Sequence, residues 1–222
     1  MGEMLIKPEL VIFDCDGVLV DSEPISALAY RNVFAKHGAD VGPDVFARCI
    51  GMKQSDILDL IHRLTGFRLP EEKVPDIWIE TKSLMEKQLQ PTDGIVEFLN
   101  RLSPAKCVAS SSSLERIHHS LELTRLAAYF PDSRIFSSSM VKRGKPAPDL
   151  FLFAAAQCGF GPAKCLVIED SPYGVRGALA AGMTVIGFTG GSHATPALAP
   201  MLQEAGANVI CKSWSDVRRH MA

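Results

Sequence analysis

The sequence contains no CxxC pair, no basic block and no apolar run long enough to span a bilayer. Each absence removes a class of function. Its six cysteines, Cys15, Cys49, Cys107, Cys158, Cys165 and Cys211, are scattered, and several sit inside apolar runs where a reduced thiol packs as a small hydrophobe. That spacing argues against a disulfide framework and against a zinc site. With 23 Lys and Arg against 25 Asp and Glu, the net charge of -2 offers no footprint for nucleic acid or for an anionic membrane surface. A small molecule is the expected partner. Residues 1–13 include Lys7-Pro8-Glu9 and lead straight into a strand-like run, so no hydrophobic leader and a cytoplasmic location are expected. No repeat or low-complexity tract is present, and Gly190-Gly191 reads as a loop because neither GxxxxGK[ST] nor GxGxxG surrounds it.

What is present is a hydrophobic content of 47% over 222 residues, enough for one full domain and a smaller appendage. Leu10-Val11-Ile12-Phe13 is a continuous apolar run ending in Asp-Cys-Asp-Gly, the pattern of a fully buried strand that stops at a turn. Lys106 to Ala109, Cys165 to Ile168 and Thr184 to Phe188 repeat it, running into Ser110-Ser111-Ser112-Ser113, Glu169-Asp170-Ser171 and Thr189-Gly190-Gly191. Helix-period segments at Ile95 to Leu102, Leu114 to Leu126, Asp149 to Cys158 and Tyr173 to Ala181 alternate with these strands. The expected fold is therefore α/β, a doubly wound parallel sheet of Rossmann-like type. Between the first two strands lie about ninety residues, too many for one crossover, with helix-like stretches at Glu23 to Lys36, Ser55 to Leu64 and Glu71 to Gln88. They predict an inserted α-helical cap over 22–90, with the core formed by 1–21 and 91–222. Hinges are expected at Val18 to Ser22 and at Gln90 to Gly94, where Pro91-Thr92-Asp93-Gly94 returns the chain to the core.

In such sheets ligands bind beyond the carboxyl ends of the strands, and those ends carry Asp14, Asp16, Ser110, Glu169 and Asp170. Asp14 and Asp16 flank one residue just past a buried strand, so both carboxylates can face one opening while Gly17 lets the backbone turn. A strand-ending turn, for which Asp and Gly are ordinary choices, is the alternative reading of the pair and the lesser one. A carboxylate attacking phosphorus needs compensating positive charge, from a divalent cation and a lysine. Asp170 can join Asp14 on a hard cation; an oxygen-only set with few carboxylates favours magnesium, with Glu169 behind it. Glu169-Asp170 is also an ordinary solvated pair ahead of a helix. Lys145 lies in the proline-stiffened Gly144-Lys145-Pro146-Ala147-Pro148-Asp149, where it can point inward at the nucleophile. Ser110 and Ser111 can offer hydroxyls and N–H groups to a phosphate ahead of the next helix, although a serine run is also a plain N-cap region. His118 and His119 fall within a helix and are assigned to surface or packing. Arg48, Lys53, Gln54 and Lys82 are candidates for contacting a polar leaving group, with solvated helix charges as the equal alternative.

Four sites in this order resemble the haloacid dehalogenase superfamily, in its phosphatase branch with a helical cap after the first strand, near β-phosphoglucomutases and 6-phosphogluconate phosphatases. The carriers are Val11 to Ser22, then Ser110, then Gly144 to Asp149, then Ile168-Glu169-Asp170-Ser171 with Gly174 and Gly182, so the likeness covers essentially the whole chain. The resemblance implies that Asp14 attacks the phosphate ester, that Asp16 protonates the leaving oxygen and then activates water, and that Ser110 and Lys145 bind the phosphoryl group. It implies Mg2+ on Asp14, the Asp16 main-chain carbonyl and Asp170. Asp16 separates the chain from the dehalogenases, whose leaving halide needs no proton. The expected substrate is a sugar or sugar-acid phosphate, with 6-phosphogluconate as the candidate. A phosphosugar mutase is the alternative, disfavoured because Glu23-Pro24-Ile25-Ser26-Ala27 lacks the mutase histidine and Lys53-Gln54 stands near its arginine. A non-catalytic protein binding a phosphometabolite or a partner is the alternative of another class.

Overall fold

The computed structural model describes residues 7–46 and 48–221. The expectation about a leader at residues 1–6 lies outside the described residues, as do the outer ends of the core range at 1 and 222. In chain order the elements are β1 (Leu10–Phe13), α1 (Glu23–Lys36), α2 (Pro43–Phe46), α3 (Gln54–Thr65), α4 (Val74–Gln88), α5 (Ile95–Asn100), β2 (Ala105–Ser110) and α6 (Leu114–Leu123). They continue with β3 (Ile135–Ser137), α7 (Asp149–Cys158), β4 (Cys165–Glu169), α8 (Pro172–Ala180), β5 (Thr184–Phe188), α9 (Leu198–Glu204), β6 (Val209–Cys211) and α10 (Trp214–Arg219). No helix among the described residues is long and apolar enough to cross a membrane.

All neighbouring strands pair in parallel, in the order β3-β2-β1-β4-β5-β6. This is the doubly wound arrangement the alternation of strands and helices predicts. Two of the six strands, β3 and β6, went unread in the sequence: each has three residues, too short for an apolar run to stand out, and each closes one edge of the sheet.

β1 is buried on both sides because its side chains alternate between two cores. Val11 and Phe13 enter a cluster with Phe98 of α5, Ile117 of α6 and Trp214 of α10, whereas Leu10 and Ile12 enter one with Phe151 of α7 and Val175 of α8. The Trp214 ring centroid lies 4.8 Å from that of Phe98 and 4.6 Å from that of Phe188, both tilted, in an aromatic cluster on this face of the sheet. The helical segment between β1 and β2 has its own apolar cluster, including Tyr30, Phe34, Phe46, Ile61 and Ile77. Two lines of chain join it to the sheet, and they pair with each other: Val20 bridges Pro91, and the Asp21 N–H donates to the Gln90 carbonyl at 3.0 Å. Thr92 adds a hydroxyl bond to the Val18 carbonyl at 2.6 Å, so the crossing point is tied to the end of β1.

Candidate active site

The strand order reverses at β1, and the crevice this opens lies beyond the ends of β1 and β4. Asp14 follows β1 directly and Asp170 follows β4, and their side chains meet there. Carboxylate oxygens of Asp14, Glu169 and Asp170 lie within 4.8 Å of one another, all buried. Lys145 reaches them from the loop before α7, with no exposed side-chain surface and its Nζ 2.8 Å from Asp14 Oδ1. The same ammonium donates to Glu169 Oε1 and lies over the Phe151 ring, 5.2 Å from its centroid. Glu169 is fixed on its other oxygen by the Ser171 N–H and hydroxyl at 3.2 and 3.0 Å. The solvated acidic pair that the sequence left open is thereby removed: neither acid reaches water.

Close packing needs glycine at two points. Gly17 has φ +73°, and a Cβ there would stand 1.8 Å from Asp170 Oδ2; one at Gly174 would meet the Glu169 carboxylate at 1.9 Å. Glycine lets the turn after β1 and the start of α8 close on the acids.

Electrostatics follow from this burial. Loss of solvent pushes the Asp14 carboxyl up, Lys145 pulls it down, and Glu169 and Asp16 push it up again, leaving it at about 7. Burial and neighbouring acids raise Glu169 and Asp170 as well, against the pull of Lys145 and of His193 respectively. Both Asp170 oxygens are buried without a hydrogen-bond partner among the described residues. Their nearest cation is His193 Nε2, 3.0 Å away but poorly aligned for a hydrogen bond. Burial lowers the imidazole pKa, but Asp170 more than restores it, to about 9.

Asp16 faces the same opening with different partners. Its Oδ1 accepts from Ser22 Oγ at 2.5 Å and from Arg116 Nη2 and Nε at 2.7 and 3.2 Å, while Oδ2 accepts from Ser112 Oγ at 2.6 Å. Burial favours the neutral acid, yet Arg116 and the two hydroxyls outweigh it and hold the carboxyl below its ordinary range. The decisive cause of this shift, Arg116, lies 100 residues away in the sequence.

Of the expected phosphate contacts, Ser110 is buried at the end of β2, and its Oγ accepts from the Ser112 N–H at 3.1 Å. Ser111 donates its hydroxyl to the Gly51 carbonyl of the helical segment at 3.1 Å, and both serines line the cavity. Ser113, not they, caps α6, accepting from the Arg116 N–H. The cavity has a volume of about 630 Å3, is walled by the strand ends and by α1, α3 and α4, and includes Asp14, Asp16, Tyr30, Gln54 and Trp78. Among the four cap candidates only Gln54 lines it. Arg48, Lys53 and Lys82 do not, which corrects that expectation: Arg48 and Lys53 are exposed, and Lys82 borders a separate shallow groove beside Trp78. His118 and His119 stand apart from the site, His119 edge-on to Trp78 with centroids 5.9 Å apart. Arg116, His193, Ser22 and Ser112 were missed. Only the position of Arg116 on the first turn after the serine run was a visible signal, and an arginine there is ordinary helix surface.

A family model described as haloacid dehalogenase-like hydrolase matches residues 11–188. The chain belongs to this family. It is 32% identical over 194 residues to 6-phosphogluconate phosphatase of Escherichia coli, covering 86% of this chain and 87% of that protein. Beta-phosphoglucomutase of Bacillus subtilis is 29% identical over 219 residues, with coverage of 93% and 90%. A conserved haloacid dehalogenase-like protein of unknown function from Agrobacterium tumefaciens superposes with TM-score 0.83 at 36% identity, over 95% of this chain and 96% of that one. Family and relatives together make the chain a phosphatase.

Proposed function

We infer that this haloacid dehalogenase-like phosphatase releases phosphate from a sugar or sugar-acid phosphate, with 6-phosphogluconate the leading candidate, through an aspartyl-phosphate on Asp14. The carrying observation is the buried Asp14–Lys145–Glu169–Asp170 cluster at the foot of a cavity large enough for a small phosphate ester. Three carboxylates against the Lys145 ammonium and the His193 imidazolium leave a deficit of positive charge, and the Asp170 oxygens, which make no hydrogen bond among the described residues, suit a hard cation. Asp14, Asp170 and the Asp16 main-chain carbonyl would hold Mg2+, which when bound offsets negative charge on the phosphoryl oxygens. Glu169 acts from behind by fixing Lys145.

Asp14 attacks phosphorus, the bond from phosphorus to the leaving oxygen breaks, and Asp16 supplies a proton to that oxygen. Asp16 then takes a proton from water, which attacks the aspartyl-phosphate and frees Asp14 and inorganic phosphate. Ser22, Ser112 and Arg116 hold Asp16 as the carboxylate that the second step needs. A phosphate dianion arriving beside it favours the protonated form needed in the first. Lys145, Ser110 and Ser111 hold the phosphoryl group. Residues 22–90 work as a cap over a core of 1–21 and 91–222, hinged where Val20 meets Pro91, and closure excludes water during the first step. A reducing cytoplasm suits six free cysteines.

A panel of phosphorylated metabolites assayed for phosphate release with and without Mg2+ tests the proposal. Release that depends on Mg2+ is expected, and no release from any ester by folded protein overturns it. Faster conversion of β-glucose 1-phosphate to glucose 6-phosphate than release of phosphate would favour the mutase.

Proton and cation compete for Asp14. Below about pH 7 its carboxyl holds a proton and above it does not, so affinity for Mg2+ should weaken roughly tenfold per unit as the pH falls through the acid range. Calorimetric Mg2+ titrations at pH 6 and pH 8 measure this, and equal affinities would remove Asp14 from the ligand set.

A further inference from the structure

Arg116 joins three parts of the molecule that the sequence keeps far apart. It stands on α6, its Nε and Nη2 bond Asp16, and Nη2 also donates to Ser26 Oγ of α1 at 2.6 Å. Its side chain is 17% exposed and lines the cavity. A guanidinium carries five N–H donors in a rigid plane. Here Nε and Nη2 are spent on protein, whereas Nη1 makes no hydrogen bond among the described residues and is not sealed from the cavity. A largely desolvated guanidinium with an unspent edge, beside the group that serves the leaving oxygen, is a binding element awaiting an acceptor.

The charges around it point to the kind of acceptor. A second guanidinium, that of Arg31 on α1, lines the same cavity and makes no ion pair among the described residues. Beyond Asp14 and Asp16, the acid lining the cavity is Glu23 at the start of α1. The unspent Nη1 edge of Arg116 and the Arg31 guanidinium thus both line the cavity as cationic donors.

Resting on the phosphatase reading above, we propose that Arg116 determines substrate preference: its Nη1 edge binds the leaving alcohol and favours one bearing a carboxylate, so sugar-acid phosphates are preferred to neutral polyol phosphates. The same side chain positions Asp16 through Nε and Nη2. On Nη1 a carboxylate gains an ion pair together with the hydrogen bond, whereas a hydroxyl in that place gains the hydrogen bond alone.

The test measures steady-state kinetics of the full-length, Mg2+-supplied enzyme and its R116K and R116Q variants on 6-phosphogluconate and on glucitol 6-phosphate, which has the same chain length without the carboxylate. Thermal unfolding reports on folding, and R116K keeps the test valid should R116Q be poorly folded. Wild type should favour the acid in kcat/KM by about 10- to 100-fold, the range of a hydrogen bond to a charged group. In R116Q, kcat should fall on both esters because Asp16 loses its anchor, whereas KM should rise by about that factor for the acid alone; R116K should restore part of the preference. A wild-type preference for the neutral ester, or an equal change in KM on both esters, overturns the proposal while leaving the phosphatase reading intact. Absence of phosphate release from every ester of the wider panel overturns the phosphatase reading and this inference with it.

Discussion

Asp14→Asn is expected to abolish turnover, by about 10^4-fold or more in kcat, while leaving the fold intact. The amide keeps the size of the side chain but offers no anionic nucleophile, and the position after β1 allows no other carboxylate to take over. Asp16 is turned toward Ser22, Ser112 and Arg116, and Glu169 and Asp170 are fully buried behind Asp14 and do not line the cavity. Trapping with beryllium fluoride should place the adduct on Asp14, and an adduct on any other residue would refute the assignment. Asp16→Asn gives the complementary result. Loss of a proton-transferring group costs about 10^2- to 10^4-fold. In single-turnover measurements of the first step, that loss should be large for an alkyl phosphate and small for p-nitrophenyl phosphate, whose leaving group needs no proton; equal losses in that step would exclude Asp16 as the acid.

Lys145→Met should damage stability and activity together. The lysine side chain has no exposed surface and answers two buried acids, so removing it leaves Asp14 and Glu169 uncompensated. Breaking a buried pair on one side costs about 3–5 kcal/mol. Burial by itself would lower the lysine pKa, but Asp14 and Glu169 drive it above its ordinary value. Its stabilising contribution is therefore fully present below about pH 10, where the unfolded chain also carries the proton, and is lost only above the folded pKa. In the variant, Asp14 and Glu169 relieve the missing charge by binding protons, so the destabilisation should grow as the pH rises from 6 to 8. Urea unfolding of both proteins at the two pH values measures it, and a pH-independent difference would mean the lysine acts by packing on Phe151 alone. Phosphate release should fall by about 10^2-fold or more, since a positive group beside the developing charge is lost.

Much of the site was legible because its residues sit at places with local signatures. Asp14, Asp16 and Gly17 follow an apolar run; Glu169 and Asp170 follow another; Lys145 stands among prolines that end one segment before a helix begins. A parallel sheet brings all its strand ends to one edge, so groups at the ends of β1, β2 and β4 had to be neighbours. Arg116 and His193 have no such marker. Arg116 occupies an ordinary helix position, and His193 lies in the loop after β5, so their roles arise from contacts with Asp16 and Asp170. Arg48, Lys53 and Lys82 failed as cap candidates because charge and helical position do not reveal which face of a helix looks into a cavity.

The sequence by itself determined the kind of sheet, the presence of a helical segment between its first two strands, and the line of acids and lysine at the crevice. Period and turn chemistry are local properties, written within a few residues of where they act. Only the tertiary structure decided the state of each group: that Asp14 is raised by burial, that Asp16 is lowered by a guanidinium on α6, and that Asp170 stands unpartnered beside His193. Those outcomes depend on desolvation and on partners up to 131 residues apart. Charges act through space, and spatial distance is set only when the strands and helices have packed.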